Sequence, residues 1–160
     1  MNKRKVIIAI IVLIFDQLTK VIVDAYNSQF TIIDNVFNIT YYQNTGAAWS
    51  ILEGNILLLI GISIVALVLV YSMMFSFENN VLNDAAFGLL FGGILGNLID
   101  RILFGYVRDF IELNIFGYNF PVFNLADTAI VVGVIIIIIA TIKGEINSGN
   151  KSRRKWRKNR

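Results

Sequence analysis

The amino-acid sequence predicts an all-α membrane protein, a four-transmembrane-helix bundle with a small extracytoplasmic β element between spans one and two and a short outer loop between spans three and four. Two observations carry that prediction. Hydrophobic residues make up 56% of the 160 and charged ones only 16%, with a mean hydropathy of +0.68, too apolar for an ordinary soluble domain. Four runs, 6–23, 55–75, 85–104 and 126–142, also approach the roughly 17 to 25 residues that cross a bilayer as a helix. They are read as one domain, followed by a basic tail, 143–160.

Span one begins after Lys3, Arg4 and Lys5, a start that resembles a cleavable secretory signal. No small-residue cleavage pattern follows Val23, however, and Asp16, Gln17 and Lys20 suit a retained span. The 14 Lys and Arg residues set the expected orientation. Three precede span one, eight lie at or beyond Lys143, Lys20 and Arg101 lie inside spans, and Arg108 alone falls in a loop placed outside. Both termini are therefore expected in the cytoplasm, with 24–54 and 105–125 outside and 76–84 inside.

In the first outer loop Phe37, Ile39 and Tyr41 alternate with Asn38 and Thr40, the pattern of a half-exposed strand. Small residues follow from Asn44 to Ala48, and Trp49 suits the interface. Ile115, Phe116, Gly117 and Tyr118 predict a short hairpin in the second outer loop. Gly88, Gly92 and Gly96 repeat every fourth residue, which lets a neighbouring helix approach closely. The tail cations from Lys151 to Arg160 can bind nucleic acid in principle. After a transmembrane span they are better explained as a topology anchor drawn to anionic lipid headgroups.

The chain has no histidine and no cysteine, so a hydrolytic site must use carboxylates, hydroxyls, lysine or an oxygen-held metal. The polar residues of the spans gather toward the expected outer boundary: Asp16 and Lys20 in span one, Asn97, Asp100 and Arg101 in span three, then Asp109 and Asp127. Charge in a bilayer is costly and marks function by default. A structural alternative stands beside each group. Asp16 and Lys20 have the i,i+4 spacing of a helix salt bridge, and Arg101 is placed to neutralise Asp100 and brace span three. A small ion-coupled carrier is a rival class, disfavoured by the absence of an evident repeat. A serine-lysine peptidase using Ser50 and Lys20 is another, disfavoured because Asp16 keeps the lysine charged.

Five segments in this order resemble the lipoprotein signal peptidases, also called prolipoprotein signal peptidase or signal peptidase II. They are Asp16 to Lys20, Asn44 to Trp49, Gly92 to Arg101, Val107 to Phe110, and Phe123 to Asp127. Thr128, where that family often has serine, and Phe120, where tryptophan is common, are small departures that touch no carboxylate. The resemblance implies an intramembrane aspartyl endopeptidase of the bacterial plasma membrane, which cuts a prolipoprotein immediately before a cysteine carrying a diacylglyceryl group. It makes Asp109 and Asp127 the catalytic pair. Asp16, Lys20, Asn44, Gly46, Asn97, Asp100, Arg101, Asn124 and Ala126 become residues that shape or support the site. One carboxyl of such a pair keeps a proton while the other acts as general base on water. The expected partners are lipidated precursors and membrane lipid, with no nucleic acid, metal or other cofactor, and the chain is expected to act as a monomer.

Overall fold

The computed structural model describes residues 2–26, 29–47 and 51–158, with side chains through residue 144. Trp49 and Ser50 lie outside the described residues, as do the side chains of the basic tail. Eight elements follow in order: α1 (Lys3–Tyr26), β1 (Phe30–Ile33), β2 (Phe37–Asn44), α2 (Ile56–Met73), α3 (Val81–Phe104), β3 (Val107–Ile115), β4 (Tyr118–Asn119) and α4 (Leu125–Lys158). All four helices are long and apolar enough to cross a membrane. Helix α3 starts four residues ahead of the expected 85 because the Asn80 side chain caps it, accepting the Asn83 N–H at 2.8 Å. Helix α4 runs past 142 to Lys158, with no proline to stop it.

The helices are packed inside out. On α1 the apolar Ile7, Ile10, Ile14, Phe15, Leu18 and Val21 are exposed, whereas Lys5, Ala9, Asp16 and Lys20 are buried along one face. That arrangement suits a lipid surround, where apolar side chains face the tails and polar ones must find partners within the protein. Helix α3 is central, with 56% of its spanning window buried against 11% to 17% in the other three. Its glycine stripe makes this possible. A Cβ on Gly88 would meet Ile8 at 2.7 Å, one on Gly92 would meet the Ala9 carbonyl at 2.7 Å, and one on Gly96 would collide with the Asp16 carboxylate. Gly93, on another face, lies as close to Ala126 and Ile130 of α4, where an added Cβ would come within 2.5 Å of the Ala126 carbonyl. Met74, Ala86, Phe87, Leu90 and Ile137 form an apolar core toward the opposite end.

The four strands form one antiparallel sheet in chain order, at the end of the bundle where α1 and α3 finish and α4 begins. The expected β element was confined to the first outer loop. The sheet instead joins both loops, because β2 pairs with β3 along Phe37↔Leu113, Asn38↔Glu112, Ile39↔Ile111, Tyr42↔Asp109 and Asn44↔Val107. The expected hairpin is present as β3 and β4, with Phe116 and Gly117 at φ 53° and 82°. Two consecutive left-handed residues are what a tight two-residue turn needs. Gly105, at φ 79°, ends α3 and turns the chain straight into β3.

Candidate active site

Strand alternation separates two charged neighbours. In β3, Arg108 and Asp109 point to opposite faces. Arg108 turns into the bundle, where its Nε donates to Asp100 Oδ2 at 3.2 Å and its Nη2 to Asp100 Oδ1 at 2.8 Å. The Arg108 backbone N–H also donates to Asp100 Oδ2 at 3.0 Å. Arg108 Nη2 reaches Gln17 Oε1 at 2.9 Å, and the guanidinium lies 4.5 Å from the centre of the Phe104 ring. The forked pair on Asp100 is therefore Arg108's, which corrects the expectation that Arg101 neutralises this acid. Arg101, one residue further round α3, lines a cavity instead. Its Nη2 donates weakly to the Gly46 carbonyl at 3.4 Å, and its buried Nε has no partner.

Behind the cavity, Lys20 is fully buried. Its ammonium lies 2.8 Å from Asp16 Oδ2, 3.4 Å from Asp100 Oδ2 and 2.9 Å from Asn97 Oδ1. The other Asp16 oxygen accepts the Ala126 N–H at 2.9 Å, so this carboxylate holds the first turn of α4. Gly96 has no Cβ where that carboxylate sits, and Ala126 is completely buried beside it. Packing glycines and buried acid thus belong to one construction.

Three asparagines then organise Asp109 and Asp127. Asn124 precedes α4, and its Oδ1 accepts the Asp127 N–H at 2.9 Å while Asp127 Oδ2 accepts the Asn124 N–H at 3.1 Å. This reciprocal cap places Asp127 in the first helical turn. The Asn124 amide nitrogen donates to Asp109 Oδ1 at 2.6 Å and to Asn97 Oδ1 at 3.1 Å. Asn97 in turn donates to Asp127 Oδ1 at 2.8 Å. Asn44, at the end of β2, donates to Asp109 Oδ2 at 2.8 Å, and its own Oδ1 accepts the buried Gly46 N–H at 2.9 Å. One asparagine, Asn124, therefore bonds to both carboxylates. Its place as the link is invisible in spacing, because Asp109 arrives on a strand and Asp127 on a helix.

Both aspartates open into a cavity of about 600 Å³. Asn44, Asn97 and Arg101 surround them, and Phe120, Val122, Phe123, Ile130 and Val131 supply an apolar wall. Burial, together with the neighbouring Asp127 charge, pushes the Asp109 carboxyl up to about 7, while the Asn44 and Asn124 amides pull the other way. Such a group changes protonation near neutrality, as an acid or base catalyst must. Among the described residues, no group of three or more His, Cys, Asp or Glu side chains is placed to hold a metal ion. All the expected site residues, Asp16, Lys20, Asn44, Gly46, Asn97, Asp100, Arg101, Asp109, Asn124, Ala126 and Asp127, belong to this connected set. Arg108 and Gln17 join it as members that spacing alone did not single out.

A family model described as signal peptidase (SPase) II matches residues 8–143. The lipoprotein signal peptidase of Staphylococcus aureus is 46% identical over 150 residues, covering 91% of this chain and 92% of that protein. The same identity and coverage hold for the protein of its strain JH9. A solved structure described as a bacterial membrane enzyme, determined by the in meso method at 2.3 Å, superposes with a TM-score of 0.81 at 44% identity, covering 89% of this chain and 90% of its own. A second such structure, at 1.9 Å, gives a TM-score of 0.76 at 44% identity, covering 87% and 92%.

Proposed function

The chain belongs to the signal peptidase II family and is a peptidase that cleaves signal peptides; we propose that it works as an aspartic endopeptidase in which Asp109 and Asp127 share one proton. Its substrates on this reading are prolipoproteins, cut immediately before a cysteine that carries a diacylglyceryl group. The observation that carries the proposal is the meeting of two carboxylates, linked through Asn124, at the polar end of one apolar-walled cavity.

The chemistry follows from the pair. The ionised carboxylate takes a proton from water as its oxygen attacks the scissile carbonyl carbon, and the protonated partner donates to the carbonyl oxygen as negative charge develops there. When the carbon–nitrogen bond breaks, a proton passes to the leaving amine, and the pair is left holding one proton as before. Asp109 and Asp127 titrate as a unit in this scheme. Arg101 lines the same cavity, and its guanidinium is suited to hold a carbonyl of the substrate. Asp16, Lys20, Asp100, Gly46 and Ala126 support the pair from behind.

The bias of Lys and Arg toward both termini supports a plasma-membrane orientation with the termini in the cytoplasm, and with the sheet and cavity near the outer face. A single cysteine introduced at exposed Asp34, in a chain that has none, reads this out: an impermeant thiol reagent labels it from outside, and labelling only after the cells are opened reverses the orientation.

Purified Asp109→Asn and Asp127→Asn variants test the pair. Each is expected to remain folded in detergent and to leave a lipidated precursor uncut, and full activity in either removes the proposal. Activity lost to a chelator and restored by a divalent ion would favour a carboxylate-held metal instead.

A further inference from the structure

Lys20 has no exposed surface and no hydrogen to spare, since its three ammonium donors face three acceptors, Asp16 Oδ2, Asn97 Oδ1 and Asp100 Oδ2, at 2.8, 2.9 and 3.4 Å. It is placed away from the cavity lining and faces only acceptors, so it is no general base for the reaction. An ammonium donates and never accepts, so the Asn97 atom facing it is the amide oxygen. The Asn97 nitrogen is then directed at Asp127 Oδ1, 2.8 Å away. Rotating that amide by half a turn would set N–H against ammonium and oxygen against carboxylate, two repulsive contacts in place of two bonds.

The other two asparagines are fixed in the same way by neutral donors. The Asp127 N–H holds the oxygen of Asn124 and the Gly46 N–H holds the oxygen of Asn44, and each leaves its nitrogen on Asp109. Asn97 differs from the other two in that its oxygen takes a charged donor, Lys20 at 2.9 Å, beside a neutral one, the Asn124 amide nitrogen at 3.1 Å. We infer that Lys20 is a positioning residue for the reaction: its buried ammonium fixes the amide of Asn97, so that Asn97 donates to Asp127 Oδ1 and holds that carboxylate toward the cavity. Neutralising Asp16 and Asp100 is then the means by which the bundle keeps an ammonium there. The inference rests on the reading of Asp109 and Asp127 as the catalytic pair.

A double-mutant cycle on the full chain in detergent, with kcat and KM measured on a lipidated precursor, separates this role from plain bracing. Lys20→Met is expected to lower kcat roughly ten- to hundred-fold, the worth of one hydrogen bond to a charged group, with KM changed by less than about two-fold. Asn97→Ala is expected to cost a similar factor, and adding Lys20→Met to it should cost less than about two-fold more, because the route through the amide is already gone. Losses that multiply overturn the inference, as does a Lys20→Met variant with the turnover of the parent. If Lys20→Met fails to fold, Lys20→Met with Asp16→Asn keeps the buried charge balanced and enters the cycle in its place. Asp127→Asn, run alongside, distinguishes the failures. Full activity there overturns the catalytic pair and this inference with it, whereas an inactive Asp127→Asn beside multiplying losses overturns the role of Lys20 alone.

Discussion

Helix α3 carries a buried acid at each end, and the two are treated differently. Asp84 is covered by Lys5 at 3.4 Å and by the Asn2 amide at 2.9 Å, with Arg4 at 3.9 Å; the Lys5 ammonium also donates to Asn79 at 2.8 Å and lies 5.6 Å from the centre of the Phe87 ring. Asp100, at the sheet end, is covered just as fully by Arg108 and Lys20. The sheet end adds Asp109 and Asp127, which carry no ion pair among the described residues and are held by asparagine amides at 2.6 to 2.8 Å. A cation beside a buried carboxylate removes its charge from the problem and fastens two helices. An amide orients a carboxylate and leaves it able to gain or lose a proton. The lesson is that buried charge in a membrane bundle is not in itself a site: the acids with no ion pair among the described residues, facing a cavity, are the ones we propose for the chemistry.

The largest separation between the two ends should appear when each loses one acid. Asp127→Asn is expected to reduce turnover by about a thousand-fold or more, the scale of a lost acid–base group. Asp84→Asn leaves Lys5 buried without its anion and should cost about 3 to 5 kcal/mol of stability, yet leave turnover per folded molecule within about two-fold. Parallel kinetics and thermal unfolding check both, and equal catalytic losses would erase the distinction.

The two arginines sharpen the same contrast within the sheet end. Arg108→Met should destabilise by about 3 to 5 kcal/mol by stripping the fork from Asp100. Arg101→Met should instead raise KM by roughly ten-fold, the loss of one charged donor to substrate, with little change in thermal stability. A smaller effect is expected from the glycine stripe. Gly88→Ala and Gly96→Ala each force α1 from α3 and should cost about 1 to 3 kcal/mol, but only Gly96→Ala displaces the Asp16 carboxylate that holds α4, so only it should also slow turnover.

The smallest effect is on pH dependence. Burial pushes the Asp109 carboxyl up to about 7, so if the proposed pair shares one proton, turnover should fall as pH rises through that value. The Asn44 amide favours the anion, so Asn44→Ala should move this alkaline limb upward, by about one unit or less. The sign for stability is set by the same group. Its folded value lies above its ordinary 3.8, so folding takes up a proton between the two. That contribution is fully present below 3.8, falls as pH rises through about 7, and should disappear in Asp109→Asn.

Much of this was legible from residue order. The spans announce themselves as apolar runs and the glycine stripe as a four-residue repeat, whereas the lack of histidine and cysteine only narrows the chemistry, and it is the resemblance of the surrounding motifs that implies Asp109 and Asp127. The sheet was only half legible. Phe37 to Tyr41 alternates in a way that one strand reveals, but its pairing with β3 joins residues about 70 positions apart, as Asn38 and Glu112 are, and leaves no local mark. The start of β3 also hides its period, because Val107, Arg108, Asp109 and Phe110 are buried on both faces. Reading Asp109 as a loop residue concealed which arginine reaches Asp100: helical spacing favours Arg101, and strand alternation delivers Arg108.

The central claim is that Asp109 and Asp127 hold one proton between them at neutral pH. Difference infrared spectroscopy of the purified protein, titrated across pH 7, measures this through the carbonyl stretch of a protonated carboxylic acid. The account predicts a buried protonated-carboxyl band that bleaches as pH rises through about 7 and is missing from Asp109→Asn. A band unchanged in Asp109→Asn, or no protonated carboxyl at pH 6, would contradict it.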